Sequence, residues 1–295
     1  MPEVTSQHRT GIALIVAAAV AWSTAPFFTR LLPFDSWTIL FWRGLFGGGV
    51  IALVLVVMQG RRGVRDLIAM RPSGWLVAGL STVGMVTFIP SLQLTSVANV
   101  AVIVAVQPFA AAAIAWIWLR ETVRPRTLLA SGVAFAGVVV TVSGAGGTAD
   151  YRGIGLACVM MLAISVMTVA IRRHRETSMV AAAALSNFLG SLVSIPFAQG
   201  LGSVTAANLG VLALFGICQV GLGLTLFTLG SRLLPSGQAS LIATLETPLM
   251  PFWVWLAFAE VPSVRALVGG ALVMGAVVAD IAAERRTQPV QPAEW

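Results

Sequence analysis

The sequence predicts an all-α membrane protein of ten transmembrane helices, built as two inverted five-helix repeats. Composition is the first reason: 58% of the residues are hydrophobic and only 10% are charged, and the mean hydropathy is +0.92. Soluble domains carry roughly 25% charged residues. A second reason is the series of apolar segments, because a spanning helix needs about 20 mostly apolar residues. A third is a set of residues that recurs in the same order in both halves of the chain, called the echo below.

The apolar segments divide the chain into halves of similar length. The first five-helix repeat is expected at 11–143 and the second at 153–283, with a glycine-rich connecting loop at 144–152. The polar N-terminus, 1–10, precedes a first segment without an obvious cleavage site, so we expect a retained helix. A polar C-terminus at 284–295 ends the chain. The expected segments are 11–31, 36–58, 74–94, 96–118, 126–143, 153–172, 178–197, 208–230, 236–258 and 266–283.

The echo between the halves consists of residues that recur in the same order at nearly constant spacing. Five is an odd number of helices, so the second copy would face the opposite way across the membrane. Inverted repeats of this kind are typical of transporters that expose one site to each side in turn. The matched pairs are Gly11 with Gly153, Ala21 with Ala163, Ser23 with Ser165, Arg30 with Arg172, Ser96 with Ser236, Pro108 with Pro248 and Glu121 with Glu260.

The basic residues indicate the orientation. All eighteen are Arg, and fourteen fall on the same side as the N-terminus if ten segments cross the membrane. Only Arg30, Arg152 and Arg265 fall on the other side, while Arg43 lies within the second segment. Short cytoplasmic loops are rich in positive charge. Both termini are therefore predicted to be cytoplasmic, and the net charge of +7 needs no nucleic-acid partner.

The composition also excludes several chemistries. Because Lys is absent, the chain cannot form a Schiff base with a cofactor or use a P-loop lysine. Cys158 and Cys218 fall in apolar segments and are interpreted as small buried side chains. His8 and His174 are the only histidines, so no metal cluster is expected. No cofactor is predicted.

Glu246 is the one acidic residue expected near mid-membrane, where a carboxylate is costly. It could contact a substrate amine or exchange protons; the alternative is a protonated side chain hydrogen-bonded to a neighbouring helix. Prolines in the segments could free backbone carbonyls and act as hinges, or could form static kinks. These candidate hinges are Pro26, Pro90, Pro108, Pro248 and Pro251.

Other polar and aromatic residues leave two interpretations open. For Arg43 we favour a side chain that extends to the membrane interface, over one that lines a cavity or pairs with an acid. Trp22 could form a cavity wall, whereas Trp116, Trp118, Trp253 and Trp255 are expected at the interfaces. Neutral polar residues could bind substrate or join helices by hydrogen bonds. They are Gln93, Asn99, Gln107, Asn187, Gln219 and Gln238.

From about Gly11 to Ile281 the chain resembles the EamA-type transporters of the drug/metabolite transporter superfamily. The resemblance lies in Ala21-Trp22-Ser23, in a fourth segment running from Ser96 through Pro108 to Leu119-Arg120-Glu121, and in the repeated ending Ala259-Glu260. It implies an inner-membrane exporter of small metabolites, often amino acids, that works by alternating access.

The resemblance also implies a central cavity framed by the first, third, fourth, sixth, eighth and ninth segments. Asn187 lies outside that frame. Val106 matches Glu246, so the acidic residue breaks the internal symmetry. The candidate substrate-binding residues are Trp22, Ser23, Gln93, Asn99, Gln107, Ser165, Gln219 and Glu246.

The leading hypothesis is a secondary transporter that exports amino acids, including aromatic or other apolar ones, from the bacterial cytoplasm. Its partners would be a small-molecule substrate and the lipid bilayer, and proton coupling and oligomeric state stay open. The alternatives are a small-molecule channel or a non-transporting membrane scaffold. An intramembrane enzyme is less favoured, because the sequence lacks HExxH and any obvious pair of membrane aspartates.

Overall fold

The computed structural model describes residues 2–120, 125–144, 148–174, 178–234, 239, 242–243 and 245–287. Within these ranges seven helical stretches are long and apolar enough to cross a membrane. Two shorter apolar helices, Leu128–Val142 and Val264–Ala279, accompany them. The chain is therefore an all-helical, multi-pass membrane protein. These helices do not by themselves establish the count of ten spans.

The helices follow the expected order. The first half contains α1 (Pro2–Ser23), α2 (Ala25–Leu31), α3 (Ser36–Gln59), α4 (Arg61–Ile68), α5 (Pro72–Leu94), α6 (Val97–Ala105), α7 (Gln107–Leu119) and α8 (Pro125–Val142). The second contains α9 (Thr148–Arg173), α10 (Met179–Ser194), the 3-10 turns Ile195–Phe197 and Leu201–Ser203, α11 (Ala206–Phe215), a π-helical stretch (Gly216–Leu222), α12 (Gly223–Ser231), α13 (Glu246–Phe258) and α14 (Val264–Thr287).

Two boundaries differ from the expected ones, and one helix is additional. The N-terminal tail is helical from Pro2, and α9 begins at Thr148, inside the expected connecting loop. The short helix α4 was not predicted. It folds back against α3 so closely that a Cβ on Gly63 would lie only 2.6 Å from the carbonyl oxygen of Leu55. Helical hydrogen bonding thus extends beyond the apolar stretches from which the boundaries were predicted.

Asp35 fixes the start of α3. Its Oδ1 accepts hydrogen bonds from the backbone N–H groups of Trp37 and Thr38, both at 3.0 Å, and its Oδ2 accepts one from the Thr38 hydroxyl at 2.6 Å. Burial raises the pKa of this carboxyl, but these hydrogen bonds outweigh it, so its pKa lies below the usual value. An N-cap of this kind satisfies backbone donors that the first turn leaves unpaired.

The helices pack in a pattern that is similar in both halves. Helix α5 packs along α9, and α12 packs along α1 in the same manner. Helix α10 contacts α5, and α3 contacts the π-helical stretch. Helices α3 and α10 pair with each other, and α8 pairs with α14.

Glycines allow the closest of these helix approaches. A Cβ on Gly47 of α3 would lie 2.7 Å from Cβ of Val220, and one on Gly216 would lie 2.6 Å from the carbonyl oxygen of Arg43. On the other side of α3, a Cβ on Gly44 would lie 2.6 Å from the carbonyl oxygen of Asn187. The backbone of α3 is thus in near contact with two helices, as small residues permit in membrane bundles.

The main apolar core lies toward one face of the membrane. We call the face at which α1 begins the proximal face and the other the distal face. The core, here the distal cluster, is formed by the distal parts of seven helices, whereas the clusters nearer the proximal face are small. Its buried members are Ala25, Phe28, Leu32, Ile39, Leu40, Ile89, Leu92, Val97, Val100, Ala101, Ile103, Ile154, Ala157, Leu212, Phe215, Met250 and Val254.

Candidate functional site

Several spanning segments are irregular near mid-membrane. Helices α1 and α2 are separated at Thr24, and α6 and α7 are separated at Val106. Leu245 forms a turn immediately before α13. The π-helical stretch at Gly216–Leu222 interrupts the segment formed by α11 and α12. Irregular backbone at membrane depth is tolerated where protein or a cavity surrounds it, and π-helical turns are frequent at functional sites.

The candidate hinge prolines fall into two groups. Pro26, Pro108 and Pro248 each follow one of these interruptions within three residues. Pro90 and Pro251 instead lie inside α5 and α13, which continue through them. A role as hinge stays a prediction for all five residues, with a visible break at only three of them.

Ser23 and Trp22 contact two different segments at the first of these interruptions. Ser23 is fully buried, and its hydroxyl accepts a hydrogen bond from the Trp253 indole N–H at 2.8 Å. The expectation that Trp253 sits at the interface is therefore wrong, because its polar edge is bound inside the protein. The Trp22 ring lies against Gly223, where a Cβ would collide with the indole, and 5.1 Å from the ring of Phe227.

Arg43 and Gln219 form a buried polar pair. The Nε and Nη2 of Arg43 donate to Oε1 of Gln219 at 3.0 and 2.7 Å, and the guanidinium carbon lies 5.3 Å from the centre of the Phe215 ring. Only 4% of Arg43 is exposed. The interpretation that its side chain extends to the interface is therefore wrong. Its Nη1 is buried and has no hydrogen-bond partner in the described residues.

Glu246, Gln107 and Ser165 lie at or near the other interruptions. Glu246 is half-buried as the first residue of α13, and it makes no hydrogen bond or ion pair with another described residue. A partner on a neighbouring helix, the alternative interpretation of this carboxyl, is therefore not found there. Ser165 is fully buried and donates to the carbonyl oxygens of Met161 at 2.7 Å and of Gln107 at 3.3 Å.

Gln93 and Asn99 are not near these residues but at the distal face. Gln93 accepts a hydrogen bond from the hydroxyl of Ser36 and donates to the carbonyl oxygen of Phe34 at 3.0 Å. Asn99 donates to the hydroxyl of Thr95 at 3.0 Å. Both side chains therefore connect helix ends, and the structure does not bring them together with the mid-membrane candidates.

An ion pair and its hydrogen bonds join four segments at the same face. Arg30, at the end of α2, donates to Glu260 at 3.0 Å and to the carbonyl oxygen of Leu92 at 2.7 Å. Glu260 also accepts from the backbone N–H of Val97 at 3.2 Å. We call Arg30, Leu92, Val97 and Glu260 the distal tie. Together with the distal cluster it closes this face of the protein.

The proximal face instead contains two cavities. One of about 480 Å³ lies between α4 and the start of α10. The other, of about 130 Å³, lies between α3 and α12 and reaches inward to Ile51. Arginines line both cavities, and Gln59 borders both. The cavity-lining arginines are Arg62, Arg65, Arg71 and Arg232.

Sequence reasoning missed the contacts of Arg43, Trp253 and the distal tie. Arg30 and Glu260 were identified as residues of the internal echo, which was the available signal, but nothing in the sequence indicated that they touch. Cys158 and Cys218 are half-buried and unpaired. Glu121, Ser236 and Gln238 lie outside the described residues.

Comparison with known proteins agrees with this architecture. The sequence model of the EamA-like transporter family matches residues 9–143 and, separately, residues 151–279. A solved crystal structure of another protein superposes with a TM-score of 0.61 at 23% identity, covering 95% of this chain and 99% of the other. At that identity the likeness concerns the fold alone. No curated protein matches the sequence significantly.

Proposed function

The chain belongs to the EamA-like transporter family, and on this premise we propose that it is a secondary transporter that exports small metabolites. Amino acids, with aromatic and other apolar ones among them, are the substrates we propose. The mechanism would be alternating access to one central site. The observation that carries the proposal is the asymmetry between the faces: the distal face is closed by the distal cluster and tie, whereas the proximal face holds two cavities.

The ten-helix inverted repeat is part of this proposal. It is supported by the packing of equivalent helices. The third segment of the first half, α5, packs on α9, and its counterpart in the second half, α12, packs on α1. The backbone also repeats, because α7 and α13 each end at a left-handed residue that is not glycine. These residues are Arg120, with φ of 57°, and Ala259, with φ of 55°. Five helices in each half would give the two copies opposite orientations.

The orientation we propose places the proximal face in the cytoplasm of a bacterial cell, with both termini there. Fourteen of the eighteen arginines support it by the positive-inside rule. The arginine-lined cavities then open toward the cytoplasm, and the closed face is the periplasmic one. An exporter loads its substrate from the cytoplasm, so the arrangement fits the loading state.

The substrate site we propose lies among the interrupted segments. It includes Trp22 and Ser23 beside the first interruption, Gln107 and Ser165 beside the second, and Gln219 in the π-helical stretch. Half-helix ends leave backbone groups free for a ligand. Gln93 and Asn99 would act instead through the closure of the distal face, where their hydrogen bonds lie.

Glu246 would contact a substrate amine or carry a coupling proton, since its carboxyl has no partner among the described residues. Replacing Glu246→Gln removes the charge and keeps the shape. Transport that keeps its full rate and pH dependence would exclude the proton role. The matched comparison is Val106→Gln, which places the same amide at the equivalent point of the first half without removing a charge, so the pH dependence of transport should stay as in the wild type.

The function is tested by counterflow in proteoliposomes with a panel of radiolabelled amino acids. A carrier speeds the efflux of labelled substrate when unlabelled substrate is added on the opposite side, whereas a channel does not. We expect this acceleration for at least one apolar or aromatic amino acid. Absence of flux for every small metabolite in the panel would disprove transport.

A further inference from the structure

Arg43 is a buried cation whose hydrogen-bonding capacity is only partly used. Two of its nitrogens share one oxygen of Gln219, while Nη1 is buried without a partner in the part of the chain that the structure describes. The Gln219 amide is neutral, so it orients the guanidinium without balancing its charge. A charge inside a membrane protein without a counter-charge is destabilising and usually marks a functional site.

No carboxylate of the described chain balances this charge. Arg43 forms no ion pair within the described residues, whereas Arg30 and Glu260 pair with each other at the distal face. Glu246 forms no bond to Arg43. The described residues thus leave Nη1 of Arg43 open to an anion supplied by a ligand.

Resting on the transport function above, we propose that Arg43 binds the carboxylate of the transported substrate. Gln219 occupies the side of the guanidinium formed by Nε and Nη2, which leaves Nη1 to donate to an oxyanion. The centre of the Phe215 ring lies 5.3 Å from the guanidinium carbon and makes a cation–π contact with the charged group. Hydrogen bonds from Arg to a carboxylate are among the stronger ones in proteins.

The approach from the proximal face suits an anion. The larger proximal cavity is lined by Arg62, Arg65 and Arg71, with Asp66 as its one acidic residue. The smaller cavity has Arg232 on its wall and ends at Ile51, two helical turns from Arg43 along α3. Basic linings of this kind raise the local concentration of anions.

Between Ile51 at the smaller cavity and Arg43, α3 meets the π-helical stretch along a seam of glycines and valines. Gly47 packs on Val220, and Gly221 packs on Val50, so that a Cβ on either glycine would lie within 2.7 Å of its neighbour. The π-helical stretch forms one wall of this seam. A modest separation of α3 from this stretch would open a route to Nη1, because no large side chain fills the contact at these glycines.

The prediction concerns the class of substrate: an organic acid should be recognised, and the amide in which its carboxylate is replaced should not. The probes are leucine, phenylalanine and benzoate, each paired with its amide. Proteoliposome transport is measured for the wild type, Arg43→Gln and Gln219→Glu. Arg265→Gln, at the distal face and outside the site, is the matched control for removing one charge.

In Arg43→Gln the KM for transported acids should rise about tenfold or more, the usual effect of losing a charged hydrogen bond. Gln219→Glu should have a similar effect for a different reason, since its new carboxylate pairs with Arg43 and competes with the substrate. This second variant keeps the buried pair intact, so it should fold even if Arg43→Gln does not. Arg265→Gln should transport as the wild type does.

A binding assay separates this inference from the transport function. Acids that bind should raise the Tm of the detergent-solubilised wild type more than their amides do, and this difference should vanish in Gln219→Glu. Vesicles that transport nothing, with the acid-specific Tm shift present, would disprove transport and leave the carboxylate site supported. If acids and amides shift the wild-type Tm equally, or folded variants keep the wild-type KM for acids, the assignment is wrong.

Discussion

The distal and proximal faces of this protein differ in how their helices are held together. At the distal face, seven helices bury apolar side chains in one cluster, and the distal tie joins four segments by hydrogen bonds. At the proximal face the apolar clusters formed by the described residues are small, and cavities lie between the described helix ends. The structure thus has one closed face and one partly open face.

Under the alternating access proposed above, this difference indicates which interactions would change during transport. A carrier with two access states populates the state with the lower free energy, and a substrate or mutation shifts the balance by its differential stabilisation. The contacts of the distal face favour the state observed. Weakening them should populate the opposite state, while changes on the lipid-facing surface should not.

The largest effect should come from Phe28→Ala, which removes a ring stacked on Phe215 at 5.0 Å in the distal cluster. Loss of a buried Phe side chain costs about 3–5 kcal/mol, which is enough to populate a distally open state measurably. The measurement is maleimide labelling of Ala101→Cys, a cluster position, with Cys158 and Cys218 replaced by Ala. Labelling from the distal side should become much faster.

The control for this experiment is Phe135→Ala, since 68% of Phe135 is exposed on the outer surface of α8. It removes the same side chain from a position that closes nothing. Equal labelling rates in the two variants would contradict the assignment of the distal cluster as a closure.

Next in size is the distal tie. Glu260→Gln weakens the bonds to Arg30 and to the Val97 amide, and the pair is partly exposed, so the expected coupling is only about 1 kcal/mol. A double-mutant cycle with Arg30→Gln, followed by thermal unfolding in detergent, isolates that coupling. Additive effects of the two substitutions would show that the ion pair itself contributes nothing.

Asp35 should make the distal end of α3 sensitive to acid. Its pKa is lower in the folded protein than in the unfolded chain, so its stabilising effect is full above about pH 4 and is lost as the pH falls through the folded value. Asp35→Ala should cost about 1 kcal/mol at neutral pH and show a weaker acid dependence. Thermal unfolding of both proteins between pH 3 and pH 7 checks this.

The smallest expected effects concern one helix end at each face. Arg120 ends α7 proximally and Ala259 ends α13 distally, both in the left-handed region that disfavours side chains. Arg120→Gly and Ala259→Gly should each stabilise the protein, by up to about 1 kcal/mol. Gly60→Ala, at a φ of 55°, should do the reverse and serves as the control. A destabilised Ala259→Gly would mean that this methyl group makes contacts of its own.

The sequence was sufficient for an all-helical membrane protein, which follows from its long apolar segments, and for the family, whose model matches both halves. It was insufficient for side-chain direction. Arg43 is close enough to a helix end to extend toward the interface, and its actual partner is 176 residues away in the chain. The cavity that the family resemblance implies also grouped Gln93 with Gln219, although the first connects helix ends and the second lies at mid-membrane. Pro90 and Pro251 illustrate the same limit, because a proline permits a break without requiring one.

The π-helical stretch at Gly216–Leu222 has a geometric consequence for the segment that contains it. A π-helix bonds each carbonyl to the fifth residue onward instead of the fourth, so it holds more residues per turn than an α-helix. If these residues returned to α-helical bonding, α12 would have to rotate about its axis relative to α11. That rotation would carry Gly223 and Phe227 away from the Trp22 ring and change the direction of Gln219 relative to Arg43. A change of bonding register within one helix would thus act on two separate contacts at once.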